Sequence, residues 1–318
     1  MLRNCRRLRV LTWHVHGNYL YYLTQAPHDF FLVTRPGHPP GYAGKVGVLP
    51  WGDNVHEVSA GEVAKQRFDV ILYQHRTQWD EDRLQLLSEA QRRLPRVYLE
   101  HDPPQDNPFL QWHWVNDPDT LLVHVTHFNQ LMWDCGATPT RVIEHGVVVP
   151  EGVSYSGELK RGIVVVNHLA GRGRRLGADV FAQTRARVPL DLVGMDAQRL
   201  GGIGEIGNLE LAAFAARYRF FFNPIRWTRL GLAIVEAMTI GMPIVGLATT
   251  ELVTVIRNGE NGFVHTDPDA LVDAMYALLR DPAEARRLGD GARRTARERF
   301  HIDRFVQEWH ETLLQVTT

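Results

Sequence analysis

The sequence is poor in features that would assign it a special environment. Only two cysteines, Cys5 and Cys135, occur in 318 residues. That is too few for a disulfide framework or a four-thiolate zinc site, and both are expected as free thiols in a reduced, cytoplasmic interior. No apolar run approaches the ~20 residues that cross a bilayer. The start, MLRNCRRLRVLTWHV, is basic and then apolar for only a few residues. No signal peptide is read there, and a first strand with an arginine-rich lead-in is expected instead. Net charge is almost absent: 35 Lys+Arg against 36 Asp+Glu leave −1. No global field favours nucleic acid or an anionic membrane, so nucleic acid is not expected as a partner, and any charge-driven binding has to be local. Eleven of the 15 histidines precede residue 147. They come without a His-Glu-x-x-His motif or paired cysteines, so no metal site is expected.

What is present is an ordinary globular composition, 44% hydrophobic and 22% charged, at a length suited to about two domains. Apolar runs recur at 9–15, 30–34, 69–73, 96–100, 121–126 and 141–144. They recur again at 163–169, 190–193, 219–223, 243–247 and 262–265. Continuous β-branched stretches, rather than strict alternation, predict strands buried on both faces. Helical spacing at 85–93, 209–217, 232–240, 270–279 and 283–299 falls between strands, which predicts parallel, doubly wound α/β sheets. Residues 147–162, rich in Gly, Ser and Pro, read as an interdomain linker. The expected organisation is an N-terminal domain over 1–152 and a C-terminal domain over 153–301. An amphipathic helix at 302–318 would return to the first. In such folds ligands bind at the carboxyl ends of strands.

The most informative stretch follows the strand RFFFNP. A turn carrying Gly231 leads into a helix entered at about Leu232. Free N–H groups and the positive dipole end at that helix start suit phosphate oxygens, and a glycine lets the backbone approach an anion closely. Glu236, about one turn in, can accept hydrogen bonds from sugar hydroxyls. Earlier, the strand GIVVVNHL runs into AGRGRRLGAD, which reads as a glycine-rich loop before a helix, with Arg172, Arg174 and Arg175 as a candidate clamp for a diphosphate. Strand RVYLEHD ends in His101-Asp102, and the first strand ends in HVHGN, with Gly17 and Asn18. Trp79, Trp112 and Trp114 offer aromatic faces to an acceptor sugar or to packing.

The segment 220–300 resembles the donor-binding half of family 4 of the retaining glycosyltransferases, which have the GT-B fold of two Rossmann-like domains facing a cleft. The resemblance rests on Gly231, Glu236-Ala237-Met238, Gly241, Pro243-Ile244-Val245, Glu251, Asn258-Gly259 and Asn261-Gly262, in that order. It implies that Gly231 and Leu232 give backbone amides to the diphosphate of a nucleotide sugar and that Glu236 holds the ribose. Thr228 stands where the family has its first, sugar-contacting glutamate, with Arg229 and Leu230 following. Arg226 and Arg229 are candidates to compensate. Gly177-Ala178-Asp179 matches the end of the family's Gly-Arg…Lys-Gly motif, but Leu176 occupies the lysine position, which leaves Arg172, Arg174 and Arg175 to carry that charge. Ile206, in GGIGEIGN, corresponds to the residue that packs against the nucleobase. In the first half, the resemblance implies that His101 lies beside the transferred sugar and that Gly17 faces the diphosphate.

The activity so implied is metal-independent sugar transfer, with retention, from a nucleoside diphosphate sugar to a hydroxyl. The nucleotide sugar is a co-substrate and no cofactor is implied. The acceptor class (glycan, lipid-linked or small molecule) is open. Two alternatives stand beside it: a nucleotide-sugar epimerase of the same fold, and a non-catalytic nucleotide-sugar binder. The Arg3, Arg6, Arg7 and Arg9 cluster implies at most a peripheral membrane contact. The short stretch 18–28 leaves room for only a small helix, and a trimmed acceptor domain predicts a shallow, open acceptor site.

Overall fold

The computed structural model describes residues 6–45 and 47–318; Cys5 and Arg3 lie outside them. The chain divides into two compact units, Met1–Gly146 with Ile302–Thr318, and Val147–His301.

In the first unit the strands are β1 (Arg9–Thr12), β2 (Asp29–Thr34), β3 (Val55–Ser59), β4 (Val70–Tyr73), β5 (Arg96–Glu100), β6 (Thr120–His124) and β7 (Thr140–Val142). They form one sheet in the order β3-β2-β1-β4-β5-β6-β7, and all its pairings are parallel. Helices α1 (Gly17–Leu23), α2 (Arg83–Gln85) and α3 (His127–Met132) lie in the connections. Central strands are apolar on both faces, as parallel sheets require; all four residues of β4 are buried. Below the sheet Trp13 stacks on Tyr73 at 5.6 Å, and Trp79 meets Tyr73 edge-on.

The second unit has β8 (Leu159–Val165), β9 (Leu190–Val193), β10 (Tyr218–Asn223), β11 (Ile244–Leu247) and β12 (Gly262–His265), in the order β12-β11-β10-β8-β9 and again all parallel. Its helices are α4 (Leu169–Leu176), α5 (Ala178–Arg185), α6 (Asn208–Ala215), α7 (Leu232–Ile240), α8 (Leu252–Val255), α9 (Pro268–Arg280) and α10 (Pro282–Arg299). Helices α9 and α10 start alike. Asp267 and Asp281 accept hydrogen bonds from the first backbone amides, and a proline follows at the first helical position, where its missing N–H costs nothing. Leu271, Val272, Met275, Leu278 and Leu279 form the buried stripe of α9, packed with Phe220 and Phe222 of β10 in one core.

The last helix, α11 (Ile302–Gln315), belongs to the first unit. Its Trp309 donates to the Tyr19 hydroxyl at 3.2 Å. Arg304 donates to the carbonyls of Glu144 and His145. His310 and His28 face each other, Nδ1 to Nε2, at 3.0 Å. The Leu8 amide donates to His28 Nδ1, so the proton between the rings sits on His28 Nε2.

Two local expectations fail. Strand β3 was not foreseen: it lies at the sheet edge and reads Val-His-Glu-Val-Ser, half polar because one face is open. Residues 85–93 do not form one helix. A π-helical turn at Gln78–Asp82 runs into α2, and Gln91–Arg93 is a separate short turn. The reason is polar. Asp82, 1% exposed, accepts from Arg35 and from the Tyr42 hydroxyl. Gln91 and Ser88 bond reciprocally, side chain to backbone, while Gln91 Nε2 donates to the carbonyls of Val63 and Gln66. Those bonds outweigh helical continuity.

Three buried histidines titrate far below their ordinary value, chiefly because burial penalises the cation. His28 and His113 are lowered to about 4 and His124 to about 3. Between pH 6.5 and about 4 the unfolded chain therefore binds protons that the folded chain does not, so stability is full above pH 6.5 and declines as pH falls through that window. The thermal midpoint should drop over this range. His124→Leu should flatten the decline by about one proton's worth, read from melts at stepped pH; an unchanged slope would contradict the assignment.

Candidate active site

Because every strand of the second unit runs parallel, the connections leaving β8, β9, β10 and β11 all start from one edge of its sheet. At that edge β10 ends in Asn223-Pro224, and the turn through Arg226, Thr228, Arg229 and Leu230 delivers Gly231 to the N-cap of α7. Gly231 has no side chain to cap the helix, and Ile234 N–H is the first to bond back to the Gly231 carbonyl, at 3.1 Å. The first amides of a nine-residue helix thus remain oriented along its axis at the sheet edge, as an anion site requires. Leu230 is buried and anchors the turn, whereas Thr228, Arg229, Gly231, Leu232 and Glu236 are half-buried. Glu236 borders a recess of about 10 Å³, with Val165, Ala212 and Phe221.

The arginines sit differently from the expected loop. Arg172, Arg174 and Arg175 lie within α4, which is kinked at Gly173; they do not precede it. Their neighbourhood is organised by Asp179, at the start of α5. Arg226 grips both carboxylate oxygens, at 2.6 and 2.8 Å, and Arg174 adds a bond at 2.6 Å. The Arg226 fork holds the Asp179 carboxyl down at about 2, with Arg174 assisting and partial burial opposing. Arg226 also donates to the Arg174 carbonyl, and the amides of Arg226 and Trp227 both donate to the Arg175 carbonyl. The structure therefore brings the α4 arginines and the 226–231 turn together, with Arg226 and Arg174 engaged on Asp179. Gly177 makes this approach possible. It adopts a left-handed φ of +80°, and a Cβ there would run into the Pro224 carbonyl oxygen.

Ile206 is half-buried in the loop after β9. That loop is pinned by backbone bonds from Gly194 to Gly204 and from Ile203 to Leu192. Other motif residues have structural work. Glu251, 1% exposed, accepts from Arg299 at 3.0 Å and from Thr254. Asn258 and Asn261 close the turn before β12 by bonding the backbone of Val264, Arg257 and Val255.

The first unit has its own site at the corresponding edge. A cavity of about 450 Å³ opens among residues that follow β1, β4 and β5, including His16, Gln74, Arg76, Glu100, His101 and Trp114. His101 is 3% exposed, with His16 edge-on at 4.2 Å and Tyr19 at 4.9 Å. Gly17 and Asn18 begin α1, next to His16. Glu100 is fixed in two ways. Its Oε1 accepts from the Asp102 amide at 2.8 Å, and its Oε2 meets His113 Nε2 at 3.1 Å. The Val115 amide donates to His113 Nδ1, so neutral His113 carries its proton on Nε2, toward Glu100. Trp114 lines the cavity, Trp79 is buried in the core and Trp112 is 67% exposed. Sequence reasoning missed Gln74 and His113. Gln74 directly follows an apolar strand, the same signal that singled out His101.

Comparison with known proteins fits this geometry. Residues 163–281 match the family model described as Glycosyl transferases group 1. A trehalose synthase of Pyrococcus horikoshii is 30% identical over 83 residues, 26% of this chain and 20% of the relative. The matched stretch thus spans about a fifth of the length of the curated relatives. Among solved structures, the sucrose-phosphate synthase of Thermosynechococcus elongatus superposes with a TM-score of 0.74 at 17% identity, covering 98% of this chain and 99% of that one. Anabaena HepE in complex with UDP gives 0.72 at 16%, covering 98% and 100%. The chain has the GT-B glycosyltransferase fold, and the sequence resemblance to the group 1 glycosyltransferases holds.

Gly177→Ala should push the 224–231 turn off the α4–α5 junction. We expect a loss of about 1–3 kcal/mol in urea unfolding, with faster amide exchange at residues 226–231. Unchanged exchange there would remove Gly177 from this role.

Proposed function

We propose that this protein is a glycosyltransferase that moves a sugar from a nucleoside diphosphate sugar to a hydroxyl acceptor, with retention and without a metal ion. The observation that carries the reading is the turn at Thr228–Leu232. It brings a glycine-capped helix start against the arginine-bearing α4, inside the segment that matches the glycosyltransferase family model. The first amides of α7 would bind the diphosphate, with Arg172, Arg175 and Arg229 adding charge. Glu236 would accept from the ribose hydroxyls and Ile206 would pack on the base. Arg226 and Arg174 would act mainly through Asp179, holding the turn in place. Uridine diphosphate is the first nucleotide to test, since Anabaena HepE has been crystallised with UDP and with UDP-glucose.

Transfer breaks the bond from the anomeric carbon to the diphosphate oxygen and forms one to the acceptor oxygen. The departing diphosphate takes the electron pair, and the acceptor hydroxyl gives up a proton. Oriented amides and guanidinium groups would stabilise the charge growing on the diphosphate, the electrostatic contribution that dominates many enzymes. With retention, acceptor and leaving group share one face of the sugar, so the leaving oxygen is placed to take that proton. His101, with Gly17 and Asn18 near it, would hydrogen-bond the transferred sugar. The 450 Å³ cavity would take the acceptor, whether glycan, lipid-linked or small. No described helix is long and apolar enough to cross a membrane, and we place the reaction in the cytoplasm.

Glu236→Ala should abolish UDP-sugar binding by calorimetry, whereas His101→Ala should leave donor affinity within about twofold and lower turnover roughly 10–100-fold. Unchanged affinity in the first variant would sink the donor-site assignment. Turnover that survives EDTA, and a product with the donor's anomeric configuration by NMR, would support the two finer points. A product isomer without any acceptor would indicate an epimerase instead.

A further inference from the structure

The buried polar cluster behind His101 belongs to no motif noted in the sequence, and its hydrogen bonds can be assigned without ambiguity. Gln74, 4% exposed, directly follows β4. Its Nε2 lies 2.9 Å from the Trp13 carbonyl oxygen and 2.9 Å from Thr12 Oγ1. A carbonyl oxygen only accepts, so the Gln74 atom facing Trp13 has to be the amide nitrogen. The reverse orientation would set two oxygens against each other in a buried site, where an unpaired acceptor costs about 1–3 kcal/mol. The remaining Gln74 atom, Oε1, therefore faces His101 Nε2, at 3.1 Å. That oxygen only accepts as well, so His101 Nε2 carries a proton.

Gln74 is not free to swing away. Its backbone amide and that of His75 both donate to Gln78 Oε1, at 2.8 and 3.1 Å, and Gln78 opens the π-helical turn that runs into α2. On the other side, Asn129 Nδ2 donates to the His101 carbonyl at 3.0 Å, which fixes the ring's backbone. His16 and Tyr19 meet the ring edge-on, and its chain neighbours Glu100 and Asp102 line the same cavity.

We propose that Gln74 is a positioning residue for His101. It holds the imidazole as the Nε2–H tautomer, so that in the neutral ring any hydrogen bond made through Nδ1 is one that it accepts. The proposal rests on the glycosyltransferase reading above and assigns the tautomer of its histidine.

Two variants separate this role from simple packing. Gln74→Glu keeps an acceptor toward His101 but loses the donors to Thr12 and Trp13; Gln74→Met loses both. Imidazole nitrogen–proton correlation spectra of ¹⁵N-labelled protein, recorded without substrate, should show His101 protonated at Nε2 in the wild type and in Gln74→Glu. In Gln74→Met they should show a mixture of tautomers. With UDP-glucose and an acceptor that it glycosylates, kcat should fall roughly 10–100-fold in Gln74→Met and stay within about threefold in Gln74→Glu, with donor KM steady in both. Equal losses in the two variants would mean that Gln74 serves only the end of β1. A wild-type ring protonated on Nδ1 alone would overturn the proposal outright. If Gln74→Met does not fold, the other two spectra still decide the tautomer. If the wild type turns over no nucleotide sugar, the glycosyltransferase reading fails while the spectra still judge Gln74.

Discussion

A parallel strand cannot be joined to its neighbour by a hairpin; the chain has to cross over and re-enter from the same end. All pairings in both sheets are of this kind, so each unit gathers the exits of its strands along one edge. Backbone amides, glycines and polar side chains that would be costly in the core collect there because nowhere else is open to them. The turn into α7, the kinked α4 and the loop after β9 meet for that reason in one unit, and His16, Gln74 and His101 in the other. Site and sheet follow from the same constraint.

Within the second unit that edge is tightened by Asp179. One carboxylate holds two guanidinium groups drawn from two different strand exits, and the shared charge stiffens the turn that presents the α7 amides. Positive charge at this edge thus has a structural use beside the donor-binding one proposed above: Arg226 and Arg174 build the turn itself. Counting arginines in the sequence cannot tell these apart, since Asp179 and Arg226 are 47 residues apart in the chain.

Much was legible in advance. The continuous apolar runs marked eleven of the twelve described strands near their observed positions, and α7 begins and ends at Leu232 and Ile240 as its spacing predicted. The glycine, glutamate and asparagine pattern identified the kind of fold that the whole chain adopts. What escaped has two causes. Strand β3 lies at the sheet edge, where an open face breaks the apolar run, and the broken stretch at 78–93 depends on side chains such as Asp82 and Gln91, whose partners are distant in sequence. Gln74 and Gln78 carry no charge and do not titrate, so nothing in composition flags them; only the assigned direction of each hydrogen bond shows what they do. Asn258 and Asn261 make the opposite case. Their motif was visible, but the structure shows that it serves a turn.

The place of α11 has a consequence for how the protein is made. The second unit is a single uninterrupted stretch, Val147–His301, whereas the first needs Ile302–Thr318 as well as Met1–Gly146. On a ribosome the second unit can close its core as soon as it emerges. The first has its seven strands long before, yet Tyr19, His28 and the Glu144 and His145 carbonyls wait for Trp309, His310 and Arg304. Order of synthesis and order of completion are therefore reversed. The N-terminal unit is begun first and finished last, with an apolar face around Tyr19 to be shielded in the interval.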